Sequence, residues 1–320
     1  MAHFLTVPIN ENGIITDGHI DDEIKYAAVS PFAFTDVFFY SHGWWTTAVA
    51  SMADYNDFSI GFARTLHNLI QQSPGSVPKI LPGFSALSIG LHWPSMLSED
   101  SRSVVNFVEA ASFFTMEYRA DDVGQTGGYA LIRLLLESRK GTAPFRFHLL
   151  GHSFGCRVVL STLQQLTADA ATLALATLAV QPCSDPSCRR LRFIAPGKLY
   201  QDILSSFPNL KMLATTSAND QALNKWYPAA QKLAHLFRDP VPALGAEGFA
   251  GNPAPGAIQS IAIGPGSVPA PAGKFVVADL TPLHQARLAN DPTVWNGFSG
   301  QHSDIYVDEI YKLLALFLGS

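Results

Sequence analysis

The sequence predicts an α/β protein built on a mostly parallel, twisted sheet with helices on both faces. Three observations carry this expectation. Short β-rich runs alternate with longer stretches of helical period along most of the chain. Residues 147–160, "FHLLGHSFGCRVVL", pass from one apolar run through two glycines around a serine straight into a second apolar run. With 48% hydrophobic residues and a mean hydropathy of +0.14, the 320-residue chain can fill a sizeable core, read as one domain over residues 1–320.

The elements follow in order. "DVFFYSHGWW" (36–45) opens as a strand that stops at His42-Gly43. Residues 52–70 then place Tyr55, Phe58, Phe62, Leu66, Leu69 and Ile70 on one helical face. "ALSIGLHWPS" (86–95) is a second strand, ended by Trp93-Pro94. Residues 101–118 read as a helix with a greasy face of Val104, Val105, Val108, Phe113 and Phe114. Its surroundings, 97–122, form a candidate cap insertion, with plain core as the simpler reading.

A helix around "GYALIRLLLES" (128–138) leads to a strand over 145–150. After Ser153 an amphipathic helix runs to about Ala168, followed by strands near "LATLAVQP" (175–182) and at "LKMLATT" (210–216). Residues 240–273 hold seven prolines and seven glycines, which predicts a loop insertion without regular elements, of the kind that serves as a lid or binding loop. "KFVVADL" (274–280) restores a strand. A final helix over 304–318 carries the stripe Val307, Ile310, Leu314 and Phe317. No internal repeat is visible, and the order suits a doubly wound sheet.

Charge and composition exclude several function classes. Only 15% of residues are charged, the net charge is −5 and the pI is about 6.0, so no basic field exists to hold a phosphate backbone and no nucleic-acid partner is expected. The N-terminal stretch "MAHFLTVPINENGIITDGHI" lacks a basic region followed by a continuous apolar run, which argues against a secretory signal. No segment approaches the roughly 18 apolar residues of a membrane span. A cytoplasmic protein without stable membrane insertion is the expectation. Three cysteines are too few for a disulfide framework; Cys183 and Cys188, in "CSDPSC", could bridge locally, free thiols being the plainer reading. His148 and His152 fall on a strand and a turn, where a spacing of four does not share a face, so no metal site is expected.

The chemistry centres on Gly151-His152-Ser153-Phe154-Gly155, which matches G-x-S-x-G. A serine presented on a sharp strand-to-helix turn needs a buried strand before it, small residues two positions either side, and a helix starting at once. "FRFHLL", the two glycines and "CRVVLSTLQQL" meet these needs. A hydroxyl is a weak nucleophile, so a base oriented by a carboxylate is required, and in this setting the order is serine, acid, histidine. Three histidines follow Ser153. His302, in a loop after the last strand, is the preferred base, with His284 and His235 in helical surroundings as rivals. For the acid, Asp220 stands just beyond a strand's C-terminal end, where it could also serve as a helix cap; Asp279 and Asp202 are rivals. The two oxyanion donors would be the amides of Phe154 and of Trp44, with Gly43 in reserve.

These features together resemble the α/β-hydrolase superfamily, and within it the bacterial esterase and lipase-like serine hydrolases. The resemblance spans residues 36–318 in element order, with the GHSFG stretch its specific motif; His-Gly-Trp-Trp departs from the His-Gly-Gly-Gly of one esterase group. It implies a Ser153–His302–Asp220 triad, an acyl-enzyme intermediate and no metal or organic cofactor. The substrate would be a small-molecule or lipid-like ester with an apolar acyl group. Trp45 and Trp93 are candidates for its wall, beside Trp44 and Phe154. A thioesterase, peptidase, lyase or haloperoxidase would share these residues, and a non-catalytic binding protein on the same fold is the remaining alternative.

Overall fold

Four strands, β1 (His3–Pro8), β2 (Asp36–Ser41), β3 (Ala86–His92) and β4 (Arg146–Gly151), form a parallel sheet in the order β1-β3-β2-β4. The computed structural model describes residues 3–29, 34–72, 85–96, 107–138, 146–170, 172, 203, 210–229, 258–297 and 299–319. The chain divides into two compact units. One holds the described residues up to Ala53 and from Ser85 to Leu210; the other holds 54–72 and those from Lys211 onward.

In the first unit β2 is buried at all six positions and β3 and β4 at five each, which explains why these strands read as continuous apolar runs rather than alternating ones. Register matters more for function. Ser41 pairs with both Leu91 and Gly151, so the loops after β2, β3 and β4 leave the same edge of the sheet. At the opposite end, Arg146 grips the buried Asp36 carboxylate with two 2.8 Å bonds and His148 Nε2 reaches it at 2.6 Å. The helices are α1 (Ile20–Val29), the start of α2 (Ala48–Gln72), α3 (Phe107–Val123), α4 (Tyr129–Ser138) and α5 (Phe154–Ala168). A π-helical turn, Gly124–Gly128, joins α3 to α4, and α5 crosses it so closely that Thr162 Oγ1 donates to the Gly124 carbonyl at 2.9 Å. Strand β1 and helix α1 lie outside the predicted series; β1, HFLTVP, is mostly half-exposed and carries neither a continuous apolar run nor a strict alternation.

In the second unit β5 (Met212–Thr216), β6 (Ile258–Ala262) and β7 (Phe275–Asp279) form a parallel sheet in the order β5-β7-β6, followed by α6 (Thr281–Asn290) and α7 (Asp308–Gly319). Strand β6 corrects the expectation that 240–273 lacks regular elements. Residues 257–263 contain neither proline nor glycine, and Ile258 to Ala262 pair with β7 along its whole length; averaging over a Pro/Gly-rich stretch conceals them. Residues 240–257 lie outside the described set, as do Cys183, Cys188, the strand expected at 175–182, and residues 97–106 of the candidate cap. Helix α7 starts four residues later than predicted, because Asp304 is bound in a turn by Arg287.

On α2, Tyr55, Phe58, Phe62 and Leu66 are buried as expected, while Ile70 is exposed near the end. Its second half packs on α7 through Phe58 and Tyr311, whose rings meet edge to face, and a Cβ on Gly61 would lie 2.3 Å from the Tyr311 ring. No described helix is long and apolar enough to cross a membrane.

Candidate active site

The expected site residues form two constellations, one on each unit. The first surrounds Ser153. Strand β4 ends at Gly151, α5 begins at Phe154, and Ser153 between them has φ 55° and ψ −127°. That is the geometry of the first central position of a type II′ turn, which favours glycine, so a serine there stores strain of about 1–3 kcal/mol. The turn is held by His152 N–H donating to the Ser41 carbonyl at 3.0 Å and Gly155 N–H to the His152 carbonyl at 2.8 Å. Both flanking glycines are dictated by contact: a Cβ on Gly151 would lie 2.3 Å from Cys156 N, and one on Gly155 2.0 Å from the Ser41 carbonyl oxygen. Gly151, His152, Phe154 and Gly155 are buried, and Ser153 retains partial exposure.

The loop after β2 lies directly against this turn. A Cβ on Gly43 would come within 2.4 Å of the Ser153 Cβ, and the Trp44 ring centre is 6.2 Å from that of Phe154. Trp45, 38% exposed, has φ 65°, a second strained non-glycine residue, and its N–H donates to the Ser95 carbonyl at 3.1 Å. Trp93 has no exposed surface. Its indole stacks on His42 at 5.4 Å, its Nε1–H donates to the His42 carbonyl, and its backbone N–H donates to His42 Nε2 at 3.2 Å. Trp93 thus supports the loop from behind.

His42 Nδ1 is 2.8 Å from the Gly43 carbonyl, so with Nε2 accepting from Trp93 the ring is a neutral Nδ1–H tautomer. Burial agrees, pushing its pKa down to about 3 against the opposing hydrogen bond to Gly43. In the sequence His42 reads as a strand-ending residue, and the His-Gly pair is its one local signal.

The second constellation joins Asp220 to His302. Asp220 follows β5, and its Oδ2 accepts from His302 Nδ1 at 2.7 Å while Oδ1 accepts the Leu223 N–H at 3.0 Å. Different oxygens of one carboxylate thus serve the contact with the His302 imidazole and the cap of a helical turn. His302 stands in the turn before α7. Backbone bonds from Gln221 N–H to the Ser299 carbonyl and from Gln301 N–H to the Asn219 carbonyl, both 3.1 Å, bring the two turns together. Gly300 makes this approach possible: its φ is 65° and a Cβ would lie 2.2 Å from the Asn219 carbonyl oxygen.

Of the rivals, His284 is buried on α6, with Nδ1 at 2.8 Å from Ser217 Oγ and Nε2 at 3.1 Å from the Asp304 carbonyl. Both ring nitrogens are thus engaged. Asp279 accepts the Thr281 N–H at 2.9 Å at the start of α6, and His235 and Asp202 lie outside the described residues. Among the described residues no group of three or more His, Cys, Asp or Glu is arranged to hold a metal ion. No protein-family model matches the chain, and no curated protein matches it in sequence.

Proposed function

We propose that the protein is a serine hydrolase of α/β-hydrolase type, with a doubly wound arrangement of helices on its parallel sheets, that cleaves carboxylic esters of apolar acyl groups. The observation that carries this reading is Ser153 itself: a partly exposed serine in a glycine-favouring backbone conformation, between two glycines that cannot bear side chains. Strain of this kind persists only where the surroundings impose it, and it aims the hydroxyl out of the strand-to-helix turn.

In the proposed reaction His302 Nε2 accepts the proton of Ser153 as Oγ attacks the ester carbonyl, forming the new C–O bond. Asp220 keeps the imidazole in its Nδ1–H tautomer and balances its positive charge. The amides of Phe154 and Trp44, with Gly43 in reserve, receive the oxyanion. The intermediate collapses with the proton passing from His302 to the leaving alcohol, and water then repeats the sequence on the acyl-enzyme. This chemistry is complete without a metal or organic cofactor. Trp44, half-buried, and Trp45, exposed, offer apolar surface beside Ser153 for an uncharged acyl chain of a small-molecule or lipid-like ester.

A fluorophosphonate probe tests the reading. The intact protein is expected to label and Ser153→Ala to remain unlabelled; equal labelling of both, or none of the intact protein, overturns it. A panel of p-nitrophenyl esters from short to long acyl chains then measures chain preference.

A further inference from the structure

One buried side chain touches both turns of the Asp220–His302 pair. His284 sits on α6, 2% exposed. Its Nε2 lies 3.1 Å from the carbonyl of Asp304, two residues beyond His302, and its Nδ1 lies 2.8 Å from the hydroxyl of Ser217, three residues before Asp220. A carbonyl can only accept, so Nε2 carries a proton, and in the neutral ring Nδ1 accepts from Ser217. The Ser217 oxygen in turn accepts the Asn219 N–H at 3.1 Å, which leaves its proton to point at His284. With the imidazole neutral the network has one consistent assignment. Burial favours that neutral form, against the attraction of Asp304 and Asp220 and together with the repulsion of Arg287. One helical turn on, Arg287 grips the Asp304 carboxylate through Nε and Nη2, and Gln301 Nε2 donates to it at 3.1 Å.

We infer that His284 is a positioning residue: its ring, with an acceptor on one edge and a donor on the other, sets the separation of the turns bearing Asp220 and His302. It thereby holds the His302 imidazole on Asp220. The inference rests on the catalytic reading of that pair. Neither asparagine nor glutamine spans both contacts, since each reproduces only one edge of the ring, and phenylalanine fills the space without either bond.

The test reads the pair directly, whether or not the protein hydrolyses esters. Ring nitrogen-15 shifts of His302, assigned by their loss in His302→Gln, report its tautomer. In the intact protein the Nδ1–H form is expected, and in His284→Ala a mixture with the Nε2–H form. Second-order fluorophosphonate labelling of Ser153 is expected to fall about tenfold in the same variant, and His284→Asn, which keeps an acceptor for Ser217, to recover part of that loss. In an Asp220→Ala background, where the pair is already broken, His284→Ala should alter labelling less than about twofold, whereas a merely structural role would cost as much in both backgrounds.

If His284→Ala does not fold, Ser217→Ala replaces it, with the same shift in tautomer expected. A folded variant whose His302 stays fully Nδ1–H and labels at the original rate overturns the inference, as does an equal loss in both backgrounds. Absence of labelling in the intact protein instead overturns the hydrolase reading, and the tautomer measurement still decides whether His284 clamps the pair.

Discussion

Asp220 divides its carboxylate between two tasks, and a single substitution separates them. Asparagine at this position keeps an oxygen for the Leu223 N–H but turns the other end into a donor, which cannot accept from His302 Nδ1. Asp220→Asn is therefore expected to leave stability within about 1 kcal/mol of the original while lowering kcat for ester hydrolysis by roughly 10³–10⁴, the effect of the wrong imidazole tautomer. Denaturant unfolding and steady-state kinetics on the same preparation check both halves. Gly155→Ala acts on both properties at once. Its Cβ would lie 2.0 Å from the Ser41 carbonyl oxygen, where backbone faces backbone and no flexible side chain can yield. We expect a stability loss of about 3 kcal/mol or more, read from the urea midpoint, together with loss of fluorophosphonate labelling. At this scale the strained serine turn is legible: the turn chemistry of Gly-His-Ser-Phe-Gly is local, and local sterics dictate it. His42 and His284 were not legible, because a histidine's role depends on which groups burial brings to its two nitrogens.

Between elements, α6 and α2 act as braces. From α6, His284 and Arg287 both reach the turn that carries His302, and Thr281 Oγ1 accepts the Ala218 N–H at 2.9 Å from the turn that carries Asp220. From α2, Asp57, Phe58, Gly61 and Arg64 face α7. Asp54 on the same helix is partly buried, which raises its pKa to about 6 despite a hydrogen bond from Tyr306, and the charge of Asp57 adds to the rise. The folded protein binds this proton more tightly than the unfolded chain, whose ordinary value is 3.8. The resulting stability is fully present below pH 3.8 and is lost as pH rises through 6. Asp54→Asn is accordingly expected to stabilise the protein at pH 7 by about 1 kcal/mol, the shift being discounted for solvent screening, and to change little at pH 4. Strand β6 makes a related point about elements. Five residues hidden in a proline- and glycine-rich stretch become a strand because β7 offers a complete parallel partner.

For the whole molecule, sensitivity to acid follows from its buried neutral histidines. His42 has a folded pKa of about 3 against 6.5, and burial lowers His284 in the same direction. The unfolded chain then binds more protons below pH 6.5, so this contribution is fully present above 6.5 and is lost as pH falls toward 3. Urea unfolding between pH 6.5 and 4 is expected to show His42→Gln losing stability less steeply than the intact protein, by about 1.4 kcal/mol per pH unit. A parallel slope would show that His42 titrates normally in the fold.

The sequence by itself determined the α/β class, most strand and helix positions, and the strained turn at Ser153, because periodicity, glycine spacing and turn sterics act over a few neighbouring residues. The tertiary structure alone decided that Asp220 meets His302 across 82 positions, that His284 lies between their turns, and that Trp93 backs the loop after β2. Those contacts come from packing and from matching donors with acceptors between distant segments, which no local pattern of residues encodes.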